Sequence, residues 1–413
     1  MSFITKCSCW LARRGQRRRL SMAPRRSSSR ISLEALESRN LLSTLVVTKP
    51  TDTAPSGVPG ELRSDIAAAS DGDKIVFAEG ITTITLNPTL GPLVVNKNLT
   101  IGGRAGGEGN GGDDEDGGDN SNNVTISGGG ATEVFAFGTT RNVTDTLQDL
   151  NIAHGVVHGS SGSGGGIFNR ANLTIDHSVV FDNHAENGFA GGGIYNAGSL
   201  RLDHSTVNAN SANNSQNGGG GIYSNATLII DQSTLSNNAA DGTAGGGLDN
   251  VGGKVTIDHS TISGNHADNG SNAAGGGIFN ADNGTVTIDH TEITGNHANN
   301  GQGGGGILNG GRMTIDHSTI SNNHADGGAG GGVYNGNTMT IDHSTITDNT
   351  ALGGYGGGIF NLGGYKNGTV MVPGMLTLSH STVRDNEAAF GPDIYNIGKI
   401  DVDHSDVGNS VGT

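Results

Sequence analysis

The sequence predicts an all-β chain, a right-handed parallel β-helix that winds coil upon coil behind a short N-terminal capping helix. Three observations carry this reading. From Gly164 onward a phrase of the form Gly-Gly-Gly-Ile-(Phe/Tyr)-Asn, then Leu-Thr-Ile-Asp-His-Ser-Thr-Ile-Ser-x-Asn-x-Ala, recurs every 26 to 31 residues, apart from one longer coil. Gly supplies 73 of the 413 residues and aromatics only 4%, too little bulk for one globular core of this size. Within each copy apolar and polar residues alternate, as a strand with one buried face requires. A stack of coils reconciles all three, because each coil need contact only its neighbours.

Residues 1–44 form a basic leader. They hold 10 of the 23 Lys and Arg but 2 of the 39 acids, so the remainder is strongly acidic in a chain of net charge −16. An acidic body repels nucleic acid and anionic membrane, so neither is an expected partner. Both cysteines, Cys7 and Cys9, lie in the leader, leaving the body without disulfides. No run of 18 apolar residues offers a transmembrane helix, and the leader lacks the apolar stretch of an ordinary secretory signal.

The leader ends in Leu33-Glu34-Ala35-Leu36-Glu37-Ser38-Arg39-Asn40-Leu41-Leu42-Ser43. This resembles the leader of bacterial surface proteins with the pattern Leu-Glu-x-Leu-Glu-x-Arg-x-Leu-Leu-Ser, a longer form of Leu-Glu-Pro-Arg-x-Leu-Leu. The resemblance implies export, and hence an extracellular, cell-surface or outer-envelope location.

Residues 45–101 read as the N-terminal cap and first coil. Leu45–Thr48 is a strand candidate, and Leu62, Ile66 and Ala69 share one face of a helix that ends at Asp71-Gly72-Asp73. The helix shields the first coil, whose unpaired amides would otherwise template aggregation. Strands are expected over 74–78, 81–86 and 93–101. Glu61-Leu62-Arg63-Ser64-Asp65-Ile66 followed by Gly72-Asp73-Lys74-Ile75-Val76-Phe77 resembles the start of many bacterial parallel β-helix proteins. Residues 102–123, with Asp113-Asp114-Glu115-Asp116, read as a solvated Gly/Asp-rich loop, and repeats fill 124–413.

Aligned on His, the copies form columns. The second and fourth positions before His are aliphatic, as in Leu173 and Ile175 or Met313 and Ile315. The position between accepts Thr174, Arg201 and Asp401 and therefore points outward. Val180, Ile262 and Ile320, three residues after His, are aliphatic again, and His and this position have opposite parity, so the chain must bend between them. Asn183, Asn210, Asn238, Asn265, Asn296, Asn323, Asn349 and Asn386 predict a stacked amide ladder. Asn169, Asn196, Asn250, Asn280, Asn309, Asn335, Asn361 and Asn396 predict a second, interrupted by Ser224. The Gly triplets are expected to supply positive φ at a tight corner. The repeat resembles that of the polymorphic outer-membrane protein family, as in Gly192-Gly193-Ile194-Tyr195 and Ile262-Ser263-Gly264-Asn265, with aliphatic residues where that family has Phe. No C-terminal membrane barrel accompanies the resemblance.

Three files offer chemistry. An outward Asp file, including Asp258, Asp289, Asp316 and Asp342, concentrates like charge that calcium would relieve; no other cofactor is required. The His file runs His154, His177, His204, Gln232, His259, His290, His317, His343, His380 and His404. Gln232 cannot act as an imidazole ligand or acid–base group, so this column reads as structural. The aromatic file, Phe168, Tyr195, Tyr223, Phe279, Tyr334, Phe360 and Tyr395, also contains Asp249 and Leu308. It therefore reads as outward and offers rings for a glycan to stack upon, unless Gly-rich loops or the insertion from Gly363 to Met375 cover it.

No catalytic constellation stands apart from the repeat. Ile-Asp-His occurs in pectate lyases within Trp-Ile-Asp-His, but here it returns in coil after coil without Trp. The expected function is a structural or adhesive surface rod that meets a glycan or protein partner and is free to associate end to end. The alternative is a polysaccharide-binding or polysaccharide-degrading β-helix.

Overall fold

The computed structural model describes residues 42–413 except 54–56, 107–122, 141, 159–163, 188–190, 214–217, 269–273, 282, 300, 363–373 and 413. Most of the leader, most of the Gly/Asp-rich loop and most of the Gly363–Met375 insertion therefore lie outside the described residues. The described strands build a right-handed parallel β-helix of about 12 turns. They fall into four parallel sheets of 13, 12, 9 and 12 strands. One coil contributes Asn172–Asp176 to the first sheet, Val179–Phe181 to the second, His184–Glu186 to the third and Ile194–Asn196 to the fourth. Each pairs in register with the coils before and after it, Leu173 with Leu200 and Ile175 with Leu202, for example.

Strand parity settles which side chains are buried. Leu173, Ile175, Val180, Ala185 and Ile194 all point inward and are at most 2% exposed, and the same positions fill the core in coil after coil. The bend after the first sheet occurs at the His column itself. His177, His204, His259, His290, His317, His343, His380 and His404 have φ of 42–46°, and Gln232 has 45°. This left-handed conformation is sparsely occupied except by Gly and short polar residues. A second left-handed corner follows at Asp182, Ala209, Asn237 and their counterparts.

His154 belongs elsewhere. Asn151 pairs with Val179 and Ala153 with Phe181, so His154 stacks with Asp182 at the second corner. Asp149, at φ 52°, occupies the His position of that coil. The wording Leu-Asn-Ile-Ala-His imitates the first strand of a repeat but lies in the second sheet.

Both amide ladders form. The backbone N–H and Nδ2 of Asn183 donate to Asn210 Oδ1 at 3.0 and 2.9 Å, while Nδ2 also donates to the Ile152 carbonyl of the preceding coil. The pattern repeats through Asn386, whose N–H and Nδ2 donate to Asp393 Oδ1. A third ladder was not anticipated. The backbone N–H of Ser178 donates to Ser205 Oγ, and this hydroxyl file continues through Ser233, Ser260, Thr291, Ser318, Ser344 and Ser381 to Ser405.

The Gly triplets do two jobs, of which the sequence suggested one. In Gly275-Gly276-Gly277 only the first has positive φ, 61°. A Cβ on Gly277 would stand 2.7 Å from the Gly306 carbonyl and 3.1 Å from Asn296 Cγ. That glycine makes room for the ladder.

The capping helix spans Leu62–Ala68, with Leu62, Ile66 and Ala69 packed into the core. Arg63 fixes it. The guanidinium bonds Asp52 at 2.7 and 2.8 Å and donates to the carbonyls of Gly91 and Pro92. The strand expected over 93–101 is interrupted, and Leu93–Val95 and Thr100–Arg104 enter different sheets. The interruption is the corner between the fourth sheet of one coil and the first sheet of the next.

Candidate functional site

Two outward files and one groove hold the candidate chemistry. The Asp–His edge forms where the first sheet ends. From Asn172 onward the last residue of the five-residue strand is an outward Asp, Ser379 excepted, and the next is a left-handed His, Gln232 excepted. Tight helical repetition then stacks the rings. His259, His290, His317, His343, His380 and His404 form an unbroken pile with centroids 4.7–5.3 Å apart and planes within 7°. Except for His380, which follows Ser379, each His Nδ1 of the pile lies beside the Asp that precedes it, at 2.8 Å in Asp258–His259 and Asp289–His290 and 2.9 Å in Asp316–His317. Carboxylates of this file thus face imidazole nitrogens. Desolvation pushes the Asp342 carboxyl up, but bonds from Ser379 and His343 outweigh it and hold the group below its ordinary range.

The expected aromatic platform is covered rather than open. Parity aims the rings outward, yet Phe168, Tyr223 and Phe360 are only 5–8% exposed. Tyr195, Phe279, Tyr334 and Tyr395 are half-buried. The rings stack on one another, Tyr195 on Tyr223 at 4.9 Å and Tyr334 against Phe360 at 5.0 Å. Ala244 and Ala274, from the segments leading into the Gly triplets, pack against Phe279, Leu308 and Tyr334. Tyr355 lies against Tyr395 and stacks on Phe390. These neighbours leave little ring face for a sugar.

Asp249 replaces an aromatic in this file and is the strongest electrostatic anomaly in it. It is 2% exposed. Its Oδ2 accepts from Gly218 N–H at 3.0 Å, and its Oδ1 has no partner. Desolvation raises its pKa to about 7. Neighbouring Tyr223 is pushed up to about 12, by desolvation first and by the Asp249 charge second. Glu133, with Oε1 shielded and unpaired, is pushed up to about 8 by desolvation. Sequence reading singled out neither acid for chemistry. Asp249 was visible as the charged exception in an aromatic column, whereas Glu133 lies before the clear repeats and carries no pattern.

A shallow groove of about 550 Å³ crosses several coils at the turn between the fourth and first sheets. Arg170, Asn172, Ser199, Asn225, Thr227 and Lys254 help to line it. The Arg170 guanidinium sits 4.9 Å above the Phe168 ring. The groove brings two bases together on an otherwise acidic body, but no carboxylate lines it. A paired general acid and base are therefore not assembled there.

Fold and faces together define a right-handed parallel β-helix protein. Residues 248–413 match a family model described as right handed beta helix region. Among solved structures, the chain is similar to a pectate lyase at 12% identity, covering 90% of this chain and 82% of that one with a TM-score of 0.44. It is also similar to a mannuronic acid specific polysaccharide family 6 lyase from human gut microbiota, at 10% identity, 87% and 83% coverage and a TM-score of 0.28. Likeness at this level carries no reading of activity. The curated proteins contain no match.

Proposed function

We propose that this chain is an exported, surface-associated structural rod without catalytic activity. The observation that carries the reading is uniformity. The same Asn, Ser, Asp and His occupy the same positions in coil after coil, and the described residues assemble no acid–base pair in a cleft. A catalytic centre needs one singular arrangement, whereas a rod needs a repeated one. The resemblance of the leader to that of bacterial surface proteins supports export. The repeat's resemblance to the polymorphic outer-membrane class supports an adhesive use of the rod, with a glycan or protein partner.

A second reading is favoured by the groove, where Arg170 and Lys254 depart from the repeat in a body of opposite charge. On that reading the groove binds a polysaccharide. Electrophoresis of the protein through gels loaded with different polysaccharides separates the two. Unchanged mobility and uncleared substrate support the rod. Retardation by one glycan that Arg170→Ala and Lys254→Ala abolish replaces it with the binding protein, and a cleared zone replaces it with an enzyme.

A further inference from the structure

We propose that the Asp–His edge binds divalent transition-metal ions of the zinc, copper or nickel class, centred on Asp289–His290–His317 and Asp316–His317–His343. In each set one carboxylate oxygen and two imidazole nitrogens lie within 4.8 Å of one another. The pair from a single coil has the spacing of neighbouring ligands. Asp289 Oδ1 and His290 Nδ1 are 2.8 Å apart, and Asp316 Oδ1 and His317 Nδ1 are 2.9 Å apart. A square-planar copper or nickel ion about 2.05 Å from each donor requires a separation of about 2.9 Å, and a tetrahedral zinc ion about 3.3 Å, a small opening of the pair. The next coil supplies the third donor.

The state of the two carboxylates points the same way. Asp289 Oδ1 and Asp316 Oδ1 are shielded from solvent, and the contact each makes is to the Nδ1 of the next residue, at 2.8 and 2.9 Å. The same Asp–His contact recurs in Asp176–His177, Asp203–His204 and Asp258–His259, at 2.7–2.9 Å. A carboxylate oxygen shielded from water and held this close to a ring nitrogen is a pair that a shared cation can bridge. The rings are 47–48% exposed, so an ion has access and water can complete its shell. Left-handed corners at φ 42° and the Asn and Ser ladders beneath hold the donors, so little ordering remains to be done on binding.

Donor chemistry selects the ion. Two imidazoles and one carboxylate suit zinc, copper or nickel, whereas calcium takes six to eight oxygens. His317 belongs to both sets, so adjacent sets compete for it. Gln232 interrupts the file on its N-terminal side.

The test is calorimetric titration of the untagged full chain with zinc chloride, repeated with calcium chloride. The substitution pair His290→Gln with His317→Gln removes the shared donors. Gln232 already occupies the same corner at φ 45°, so the variant should fold, and its unfolding midpoint without metal checks this. A control pair, His266→Gln with His297→Gln, removes the Asp268 cluster on the third sheet. The expected result is saturable zinc binding by the parent, weakened roughly tenfold or more in the first variant and kept in the second. Four results overturn the proposal: no zinc binding by the parent, parental binding by the first variant, loss confined to the control pair, or calcium bound as tightly as zinc.

Discussion

The side-chain carbonyl of Asn250 faces Ser224 one coil earlier and receives no hydrogen bond from it. The two residues pair in register within the fourth sheet. Everywhere else from Asn169 to Asn361 an Asn Nδ2 or its counterpart reaches the next member, as Asn250 reaches Asn280 at 2.8 Å. The Ser224 hydroxyl accepts from Asn196 and is directed toward the Ala226 carbonyl, which leaves Asn250 Oδ1 buried and unpaired. Ser224→Asn restores the missing donor in a position whose neighbours above and below are already Asn. Since an unmet buried acceptor costs roughly 1–3 kcal/mol, the variant should unfold at a higher temperature. A lower midpoint in a thermal scan would count against this account.

The converse substitution acts at the continuous ladder. Asn265 Oδ1 accepts from both the backbone N–H and Nδ2 of Asn238, and its own Nδ2 serves the Leu235 carbonyl and Asn296. Asn265→Ala strands several buried groups at once, so a loss of about 3 kcal/mol or more is expected from urea unfolding. Gly277→Ala should also destabilise, because its Cβ meets a carbonyl and the Asn296 amide. A cost near zero for either would mean that the corner relaxes around the defect.

At the His corner, backbone conformation and ring chemistry separate. His290 has φ 42°. Without added metal, His290→Gln should leave stability within about 0.5 kcal/mol, since Gln232 sits at the equivalent corner. His290→Val puts a β-branched residue into the left-handed region and should cost about 1–2 kcal/mol or more. Equal effects in denaturant titrations would show that the ring, and not the backbone, sets the preference.

Asp249 gives stability a pH dependence of known sign. Its folded pKa lies near 7 against 3.8 for the free group. The unfolded chain therefore releases this proton first as pH rises, and the folded state loses stability between about pH 4 and 7, then levels off. The full shift corresponds to about 4 kcal/mol. Asp249→Asn keeps an acceptor for Gly218 and cannot ionise. It should match the parent near pH 4 and be the more stable at pH 8, the gap opening between. Parallel curves for the two proteins in unfolding measured across pH 4–8 would refute the assignment.

The inward columns were legible because strand parity is strict and a column that tolerates Arg201 or Asp401 cannot be core. The Asn ladders were legible because a buried amide needs a partner and the next coil supplies one. Other features carried no such constraint. His154 was misplaced because a five-residue strand and the strand after it share apolar wording, and only pairing distinguishes them. The Ser column escaped notice because a hydroxyl after His reads equally well as surface. Cover over the aromatic file comes from Ala244, Ala274 and Tyr355, in segments whose lengths vary from coil to coil. At the Asp–His edge the sequence revealed the residues, but not that Asp289 and Asp316 each place a shielded oxygen within 2.9 Å of a ring nitrogen.

The Asn ladder gives the rod a direction. Every Nδ2 in the file from Asn183 to Asn349 donates to the Oδ1 of the coil that follows, as well as to a carbonyl of the coil before, so the Nδ2-to-Oδ1 bonds run head to tail and each polarises the next. The last acceptor is not another amide but the Asp393 carboxylate, which takes the N–H and Nδ2 of Asn386 and, through its other oxygen, the N–H of Asn409. A full negative charge thus closes the N–H end of the row, much as an acidic residue closes the N-terminus of a helix. The two ends of the row are electrically unlike, and a partner reading charge along it would meet a vector.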